Sequence, residues 1–340
     1  MLSKVFGIDL GTSTLKIYKK GEGVVVDEKN VIAIENRQKV MAIGNEAYEM
    51  LEKAPINIKV TYPVRNGVIA DIANMEALLD AMVKKHLKMK GGTCLIAVPT
   101  DITEVEKRAF FDLVANSRAK LKEVGIVEKP IAAALGAGLD ITVANGVMVV
   151  DIGADTTEIS VMSLGGIVLS KLIPIGGNKL DESIKNYVKK KYNLLIGDKT
   201  AEILKKALAN AYDMEQEGVK VYGRNVVTGL PSEMEISAEM VHESIQEYLI
   251  AIVDSIKQIL ERTPPEISSD IIDNGIYVAG GSAGIRNIDR LISDHTELNV
   301  NIVNDPSNAV VNGLGMIMED SNLHSLATMI KSSSSIKKRI

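Results

Sequence analysis

Several residue types that mark particular protein classes are scarce in this chain of 340 residues. A single cysteine, Cys94, excludes a disulfide framework and a cysteine-based zinc site. The four histidines (His86, His242, His295 and His324) show no metal-ligand spacing. Tryptophan is absent and aromatic residues make up only 4% of the chain, so aliphatic side chains must build the core.

Charge and hydropathy narrow the class further. The net charge of −5 at pH 7 argues against a nucleic-acid binder, which usually presents a basic surface. No apolar run approaches the roughly 18 residues that a membrane span needs, and the first residues lack the pattern of a signal peptide. With 46% hydrophobic residues, the chain is long enough for two domains of ordinary size. We therefore expect a cytosolic protein with no nucleic-acid partner.

One local pattern occurs twice in the chain. An apolar run at residues 5–8 leads into Asp9, a glycine-bearing turn and a second strand, and residues 147–150 lead in the same way into Asp151, a turn and a strand. Turns of this kind can point backbone N–H groups at the phosphates of a nucleotide. A carboxylate beside each turn can hold a hydrated divalent cation. The pattern predicts an α/β protein of two duplicated lobes with a nucleotide in a cleft between them.

The positions of the two copies predict the domain organisation. The first lobe spans residues 1–140 with a small subdomain at about 31–72, and the second spans 141–320 with a small subdomain at about 183–236. Each lobe is expected to hold a mixed sheet flanked by helices. The tail at 321–340 is rich in serine and lysine near its end and is predicted to be mobile.

Local signals place some elements within these lobes. Thr103 and Glu106 have the spacing of a capping box, which predicts the start of a helix. An apolar stripe at helical spacing predicts a long helix that begins at Ser237. Residues 219–227 are predicted to form a pair of strands that turns at Gly223.

Longer runs of sequence add a family resemblance. The two Asp-x-Gly turns, followed by the segment 280–282 at the end of a predicted strand, resemble the ATPase superfamily of actins, sugar kinases and heat-shock chaperones. Within that superfamily the chain is similar to the bacterial actins of the MreB family. The runs that carry the resemblance are NGVIADI (66–72), AAALGAGL (132–139), SLGGIV (163–168), NLLIGDKTAE (193–202), GRNVVTGLP (223–231) and TPPEISSDIIDNGI (263–276).

The resemblance implies an actin-like ATPase fold with ATP and Mg²⁺ as cofactors, and it implies roles for individual residues. Asp9 and Asp151 would position the magnesium ion through water. The phosphates would be held by Gly11, Thr12, Ser13 and Lys16 in the first lobe and by Gly153, Ala154, Asp155 and Thr156 in the second. The adenosine would be contacted by Glu202, Lys205, Lys206, Gly280, Gly281 and Ser282.

Two of these assignments have ordinary alternatives. Lys16 matches a phosphate-contacting lysine of actin, and the alternative is a solvated strand residue. Glu202 and Lys205 would face the ribose and base, and the alternative is an exposed helix pair with i,i+3 spacing.

The chain departs from the family pattern at two places that matter for hydrolysis. Ala154 and Asp155 replace two glycines of the second phosphate loop, where a Cβ can obstruct the backbone and a carboxylate adds repulsion near a γ-phosphate. Lys129 stands where the family has the glutamate that orients the attacking water, and a protonated lysine cannot accept a proton from water. We therefore expect a protein that binds nucleotide but hydrolyses it slowly or not at all.

The candidate catalytic residues are Glu128, Lys129 and Thr156, and their roles stay open at this stage. Lys129 could instead stabilise bound ATP or form an ion pair with Asp155. A local shift of the backbone could also let Glu128 replace the missing glutamate.

The resemblance also implies partners. Bacterial actins of this family assemble head to tail into homopolymers and lie at the inner face of the cytoplasmic membrane. The chain has no room for an N-terminal amphipathic anchor, so two other segments are candidates. The first is an apolar pair among lysines, whose alternative is an ordinary helix end: Leu87 and Met89 with Lys84, Lys85, Lys88 and Lys90. The second is the tail: Leu323, Leu326, Met329, Ile330, Lys331, Lys337, Lys338 and Arg339.

These observations predict a bacterial actin-like cytoskeletal protein that forms membrane-associated, ATP-binding filaments involved in cell shape. Further expected partners are other members of the family and cell-wall elongation proteins. Two alternatives stay open: a non-hydrolysing scaffold or regulator that co-assembles with a catalytic family member, and a small-molecule kinase of the same superfamily.

Overall fold

The computed structural model describes residues 5–87, 91–212 and 217–331. The strands in these ranges are β1 (Val5–Leu10), β2 (Thr14–Lys19), β3 (Gly23–Lys29), β4 (Ile32–Glu35), β5 (Lys39–Ile43), β6 (Ile58–Thr61), β7 (Val64–Arg65), β8 (Val68–Ile69), β9 (Thr93–Val98), β10 (Glu123–Glu128), β11 (Val147–Ile152), β12 (Thr157–Ser163), β13 (Gly166–Ile173), β14 (Leu194–Leu195), β15 (Val219–Asn225), β16 (Pro231–Ile236), β17 (Ile276–Ala279), β18 (Val300–Ile302) and β19 (Thr328–Lys331).

The α-helices are α1 (Gly44–Glu49), α2 (Ile72–Met82), α3 (Glu104–Ala115), α4 (Lys129–Gly136), α5 (Gly177–Tyr192), α6 (Asp198–Leu208), α7 (Ala238–Leu260), α8 (Pro265–Asn274), α9 (Ile288–Thr296) and α10 (Ala309–Glu319). A π-helical turn follows α2 at Val83–Leu87, and 3₁₀ turns span Gly281–Gly284, Pro306–Asn308 and Ser321–Leu326.

The chain divides into two compact units, which we describe separately. Unit 1 comprises the described residues of 1–145, 162–170 and 308–340, and unit 2 comprises those of 146–161 and 171–307. These ranges differ from the predicted lobes at two places. Helix α10 belongs to unit 1, and so do residues 162–170, which contain the turn between β12 and β13.

The packing of α10 on α4 explains why the end of the chain belongs to unit 1. A Cβ added to Gly136 in α4 would lie 1.8 Å from the carbonyl oxygen of Ala309, and one added to Gly313 in α10 would lie 1.8 Å from that of Ala132. The two helix backbones therefore touch through glycine on both sides, which fixes the position of α4.

Unit 1 is built on a six-stranded sheet in the order β19-β10-β9-β1-β2-β3. β1, β9 and β10 are parallel to one another, whereas β2, β3 and β19 are antiparallel to their neighbours. Aliphatic side chains and three phenylalanines (Phe6, Phe110 and Phe111) form its core. Cys94 lies in the same core, where burial raises the pKa of its thiol. A three-stranded sheet, β5-β4-β6, and the pair β7-β8 complete the strands of this unit.

Unit 2 holds most of a five-stranded sheet in the order β13-β12-β11-β17-β18, of which β11, β17 and β18 are parallel. Helix α7 lies in the same unit, and its buried side chains recur at helical spacing from Val241 to Ile259. The Ser237 hydroxyl accepts a hydrogen bond from the Met240 N–H and so begins this helix at the predicted residue. The small sheet β14-β15-β16 completes the unit.

The prediction for residues 219–227 is wrong. Most of them form one strand, β15 (Val219–Asn225), which pairs with β16 from Val219 to Arg224. Gly223 is not a turn residue: a Cβ there would lie 2.5 Å from the carbonyl oxygen of Leu195 in β14, so glycine permits a close contact between strands. The turn comes later, where the Asn225 side chain accepts hydrogen bonds from the N–H groups of Val227 and Thr228.

Part of the tail that we predicted to be mobile forms regular structure. Residues 321–326 form a 3₁₀ turn, and β19 pairs with β10 from Glu123 to Ile126. Ile330 packs against the core of unit 1. The residues beyond 331 lie outside the described ranges. Among the helices of the described ranges, none combines the length and the apolar character that a membrane span requires.

Candidate functional site

Loop 1 (Gly11–Ser13) follows β1 at one edge of the unit 1 sheet. Because β1, β9 and β10 are parallel neighbours, their carboxyl ends meet at this edge. Asp9 lies near the end of β1, and Lys129 begins α4 directly after β10. Strands are spaced about 4.8 Å apart, so about 10 Å separates β1 from β10, a distance that an aspartate and a lysine side chain together can bridge.

Lys129 and Asp9 form a buried ion pair across this edge. The Lys129 Nζ lies 3.1 Å from the Asp9 Oδ1, and the two side chains are only 16% and 11% exposed. Among the described residues, none donates an aligned hydrogen bond to this Oδ1, so the contact is one of charge attraction. Asp9, a residue of the same unit, is thus an acidic partner of Lys129.

Loop 1 is held from behind by Asn30. The Asn30 side-chain amide donates to the Gly11 carbonyl at 2.8 Å, and the Asn30 N–H donates to the Ser13 carbonyl at 2.9 Å. Asn30 is fully buried, and Thr12 is nearly so. Two hydrogen bonds from one buried residue therefore fix the carbonyls at both ends of loop 1.

Lys16 lies opposite Asp9 in the pairing of β1 with β2. It is 3% exposed, so the alternative of a solvated strand residue is wrong. Its ammonium donates to the Asn308 side-chain oxygen and lies 3.7 Å from the Asp27 Oδ2. Lys16 is therefore a buried cation at the same sheet edge as loop 1.

Loop 2 (Gly153–Thr156) connects β11 to β12 in unit 2. The Gly153 N–H donates to the Thr156 carbonyl at 2.9 Å, which closes the turn. The start of α5 then binds the loop, since the N–H groups of Gly177 and Asn178 donate to the carbonyls of Gly153 and Ala154 at 3.0 and 2.7 Å. Loop 2 is therefore fixed by backbone contacts to a helix N-terminus.

The segment predicted to contact adenosine also supports loop 2. The Ser282 hydroxyl donates to the Gly153 carbonyl at 3.0 Å. Gly280 has a φ of +89°, and a Cβ there would lie 2.4 Å from the Asp151 Oδ1. The backbone at Gly280 therefore packs directly against the second predicted metal-binding carboxylate.

Ala154 and Asp155 fit loop 2 without backbone strain. Neither residue has a positive φ, so the conformation does not require glycine at either position. Asp155 Oδ1 accepts a hydrogen bond from the Asn178 side-chain amide at 2.7 Å. The two substitutions therefore add a methyl group and a negative charge to the loop, and Asn178 orients that charge.

Lys205 forms a buried ion pair inside unit 2. Its ammonium donates to the Asp181 Oδ2 at 2.7 Å and to the Gly177 carbonyl at 2.8 Å, and the Lys205 and Asp181 side chains are 13% and 12% exposed. Burial raises the pKa of the Asp181 carboxyl, while the neighbouring Lys205 ammonium lowers it. Lys205 thus ties α6 to the start of α5, which itself holds loop 2.

Glu202 forms an ion pair with Lys206. The alternative interpretation of the sequence was an exposed pair of Glu202 with Lys205 at i,i+3 spacing. The Glu202–Lys206 distance is 2.6 Å at i,i+4 spacing, and the two side chains are 21% and 67% exposed. The alternative of an exposed Glu202–Lys205 pair is therefore wrong.

Buried side-chain oxygens that lack a hydrogen bond are concentrated near the two loops. Within the described part of the chain, the three such atoms are Oδ1 of Asp9, Asn30 and Asp181. Asp9 and Asn30 flank loop 1, and Asp181 lies in α5, whose start binds loop 2. An unsatisfied buried oxygen costs free energy and calls for an explanation. Two of the three therefore lie beside loop 1, and the third lies in the helix that binds loop 2.

Comparison with known proteins assigns the family. The MreB/Mbl protein family matches residues 3–326 of the chain. Over 326 residues the chain is 40% identical to the cell shape-determining protein Mbl of Bacillus subtilis, covering 94% of this chain and 97% of that protein. The chain belongs to the MreB/Mbl family. It is also 39% identical to the cell shape-determining protein MreB of Escherichia coli over 334 residues, covering 95% and 96% of the two chains.

A solved structure agrees with this assignment. MreB5 of Spiroplasma citri bound to ADP matches with a TM-score of 0.89 at 36% identity, covering 93% of this chain and 96% of that one. The same protein bound to AMPPNP also matches with a TM-score of 0.89. The predicted family and the actin-like fold are confirmed. The chain is a bacterial actin-like cytoskeletal protein of the cell shape-determining MreB/Mbl type.

The resemblance to MreB implies a magnesium ion at Asp9, and the residues around Asp9 do not suit it. The Asp9 Oδ1 is buried without a hydrogen bond, as expected of a carboxylate that meets a cation, but an ammonium already lies 3.1 Å away. Asp9 is therefore provided with a cation by the chain itself.

The remaining predicted residues are two catalytic candidates, Glu128 and Thr156, and the segment predicted to contact the membrane. Glu128 ends β10 as the N-cap residue of α4, half-buried and without a capping hydrogen bond from its side chain. Thr156 closes loop 2 through its carbonyl. Of the predicted membrane loop, Lys88, Met89 and Lys90 and the Leu87 side chain lie outside the described residues. Lys85 forms ion pairs with two glutamates of unit 1, Glu28 and Glu46.

Sequence reasoning missed three residues that shape the site: Asn30, Asn178 and Asp181. Asn30 follows β3 and reaches back to loop 1, a contact that only the pairing of β2 with β3 reveals. Asn178 and Asp181 lie in the first turns of α5 just after Gly176-Gly177. The pair Gly176-Gly177 was the signal in the sequence that could have indicated these two residues. Glycines at a helix N-terminus let another segment approach the free N–H groups there.

Proposed function

We propose that this chain is a filament-forming member of the MreB/Mbl family that binds ATP and hydrolyses it slowly or not at all. The observation that carries the proposal is the buried ion pair of Lys129 with Asp9 beside loop 1. Support for nucleotide binding comes from MreB5, whose structures contain ADP and AMPPNP.

The weak hydrolysis follows from the chemistry of Lys129. A general base must accept a proton from the attacking water, and an ammonium group has no lone pair with which to do so. The Lys129 ammonium is also already engaged, since it lies 3.1 Å from the Asp9 carboxylate. Glu128 is one residue earlier, where it ends β10 as the N-cap residue of α4, so it does not occupy the position of the family's glutamate.

Phosphate release from assembled protein at saturating ATP tests this proposal. We expect turnover at least about a hundredfold below that of a family member with glutamate at this position, because general base catalysis contributes about 10²–10⁴-fold. The triple variant Lys129→Glu, Ala154→Gly and Asp155→Gly should raise the rate. Turnover of the unmodified chain equal to that of an ordinary MreB would refute weak hydrolysis.

Self-assembly is proposed from the family. Actin-like subunits that repeat one head-to-tail interface form open polymers, because the interface does not close on itself. Pelleting and electron microscopy with and without ATP would test this. Filaments support the proposal, whereas a soluble monomer that phosphorylates a small molecule would support the kinase alternative.

A second candidate function is a non-hydrolysing subunit that co-assembles with a catalytic MreB. Lys129 and Asp155 favour it, because a lysine cannot act as a general base and Asp155 adds a negative charge to loop 2. Co-pelleting of the chain with a catalytic family member, compared with either protein alone, separates the two functions. Assembly that requires the partner would favour the second candidate.

Association with the inner face of the membrane is also proposed from the family. The candidate anchor is Leu87 and Met89 among lysines, and of those lysines Lys85 is already ion-paired. Sedimentation with anionic liposomes tests the anchor. Loss of binding in the double variant Leu87→Ser and Met89→Ser is the expected result, and undiminished binding would reject this segment.

A further inference from the structure

We infer that the Lys129 ammonium acts as a built-in cation for Asp9, so that ATP binding by this chain does not depend on a divalent cation at Asp9. The inference rests on the proposed binding of ATP. It goes beyond weak hydrolysis, because it concerns which cation neutralises the site when the nucleotide binds.

The position of the ammonium is fixed by the fold. Lys129 is the first residue of α4, and α4 is held against α10 by the two glycine contacts at Gly136 and Gly313. The parallel order β10-β9-β1 then brings the start of α4 to the edge where Asp9 lies. In the pairing of the strands, the residue beside Asp9 on β9 is Ala97, whose side chain is a single methyl group.

The charges favour the lysine over a metal ion. Two like charges at close range in a partly buried site repel strongly, so an ammonium at 3.1 Å from Oδ1 disfavours a hydrated divalent cation on the same carboxylate. The ammonium is attached to the chain, so it loses no translational freedom on meeting Asp9. A magnesium ion would first have to displace Lys129 and leave it partly buried without its partner.

Unit 2 supplies a matched control for this argument. Lys205 and Asp181 form an ion pair with nearly the same exposure as Lys129 and Asp9, at 2.7 Å instead of 3.1 Å. Lys205→Met therefore removes a buried lysine without touching Asp9. It is expected to weaken ATP binding equally with and without magnesium, whereas changes at Lys129 should alter the ratio of the two affinities.

The experiment measures the dissociation constant of ATP by calorimetry, once in excess Mg²⁺ and once in excess EDTA. For the unmodified chain and for Lys129→Arg, we expect the two constants to agree within about threefold. For Lys129→Glu we expect EDTA to weaken binding by more than about tenfold, because two carboxylates then face the phosphates without a cation. Lys205→Met should keep the ratio of the unmodified chain.

A second readout does not need nucleotide. Mg²⁺ should raise the melting temperature of Lys129→Glu, which gains a pair of carboxylates, and should leave that of the unmodified chain unchanged. Lys129→Met provides the same comparison if the glutamate variant does not fold: Asp9, freed from lysine, should then respond to Mg²⁺.

The outcomes are distinguishable. If the unmodified chain binds ATP more than about tenfold less tightly in EDTA, the inference is wrong and the proposed ATP binding stands. If no ATP binds in either condition, the proposed function fails, and the inference fails with it. An equal magnesium response of the unmodified chain and of both Lys129 variants in the melting experiment also overturns the inference.

Discussion

The two copies of the strand–aspartate–turn–strand pattern look alike in sequence but are stabilised in different ways. In unit 1, loop 1 is fixed by a buried side chain, Asn30, and its aspartate is neutralised by Lys129 from two strands away. In unit 2, loop 2 is fixed by the backbone at the start of α5, and its aspartate is packed against Gly280. The same local pattern can therefore be supported by charge in one unit and by close backbone contact in the other.

This difference indicates which substitutions each unit should tolerate. Unit 2 should be sensitive to added volume, because glycine backbones lie against loop 2 and Asp151. Unit 1 should be sensitive to changes of charge, because the buried Asp9 carboxylate there forms an ion pair with Lys129.

The largest effect is expected from Gly280→Ala in unit 2. A Cβ at this residue would lie 2.3 Å from the Ile152 carbonyl oxygen, and the φ of +89° is unfavourable for any other residue. We expect a loss of about 4 kcal/mol in the free energy of unfolding, measured by urea denaturation. Gly281→Ala is the matched control, because open space surrounds that position, and it should cost less than about 1 kcal/mol. Equal losses for both variants would contradict the close-contact account of unit 2.

The next effect is expected from Lys129→Met in unit 1. Removal of the ammonium breaks the ion pair of the buried Asp9 carboxylate, which should cost about 3 kcal/mol in the free energy of unfolding. The double variant Lys129→Met and Asp9→Asn should recover most of this loss. A double-variant cycle measured by denaturation checks the coupling, and additive losses would show that the two groups do not interact.

A smaller effect is expected from Asn30→Ala, which removes the buried amide that holds loop 1. The Gly11 carbonyl then loses its donor, so we expect a loss of about 2 kcal/mol. Asn178→Ala removes an exposed hydrogen bond to Asp155 in loop 2 and should cost less than about 1 kcal/mol. Urea denaturation measures the free energy of unfolding of both variants. A larger loss for Asn178→Ala than for Asn30→Ala would contradict the view that a buried side chain fixes loop 1 and backbone contacts fix loop 2.

The smallest effect lies away from both loops, at the cap of α3. Thr103→Ala should cost about 1 kcal/mol at neutral pH. Hydrogen bonds from the Thr103 N–H and hydroxyl lower the pKa of Glu106. A lowered pKa in the folded state gives stability that is present above the unfolded value, about 4.3, and is lost as the pH falls through the folded value. The cost of Thr103→Ala should therefore shrink in acid, as denaturation at pH 7 and pH 3 would show. A cost that does not change with pH would contradict this account of the cap.

The features that could be predicted from sequence are those set by neighbouring residues. The cap at Thr103 and Glu106 depends on a spacing of three residues, and the stripe of α7 depends on helical periodicity alone. The fold itself was reached through the family resemblance, which the comparisons confirm. Local periodicity did not reveal α8 or α9, which are short helices that begin after Pro264 and Asn287.

The features that could not be predicted depend on strand order and on contacts between distant residues. Lys129 meets Asp9 only because β10 and β1 flank the same strand, and Lys205 meets Asp181 only because α6 packs on α5. At Gly223 the sequence showed a glycine, but a turn and a close contact between strands both require one. Pair contacts across a fold leave no local pattern, so they appear only in the structure.

A crystal structure of the chain with AMPPNP and Mg²⁺ tests the central claim most directly, because it shows which cation neutralises Asp9. We predict that the Lys129 Nζ stays within about 3.5 Å of the Asp9 carboxylate, with no magnesium-bound water on that carboxylate. A hydrated magnesium ion bound through Asp9, with Lys129 turned away from it, would contradict the account.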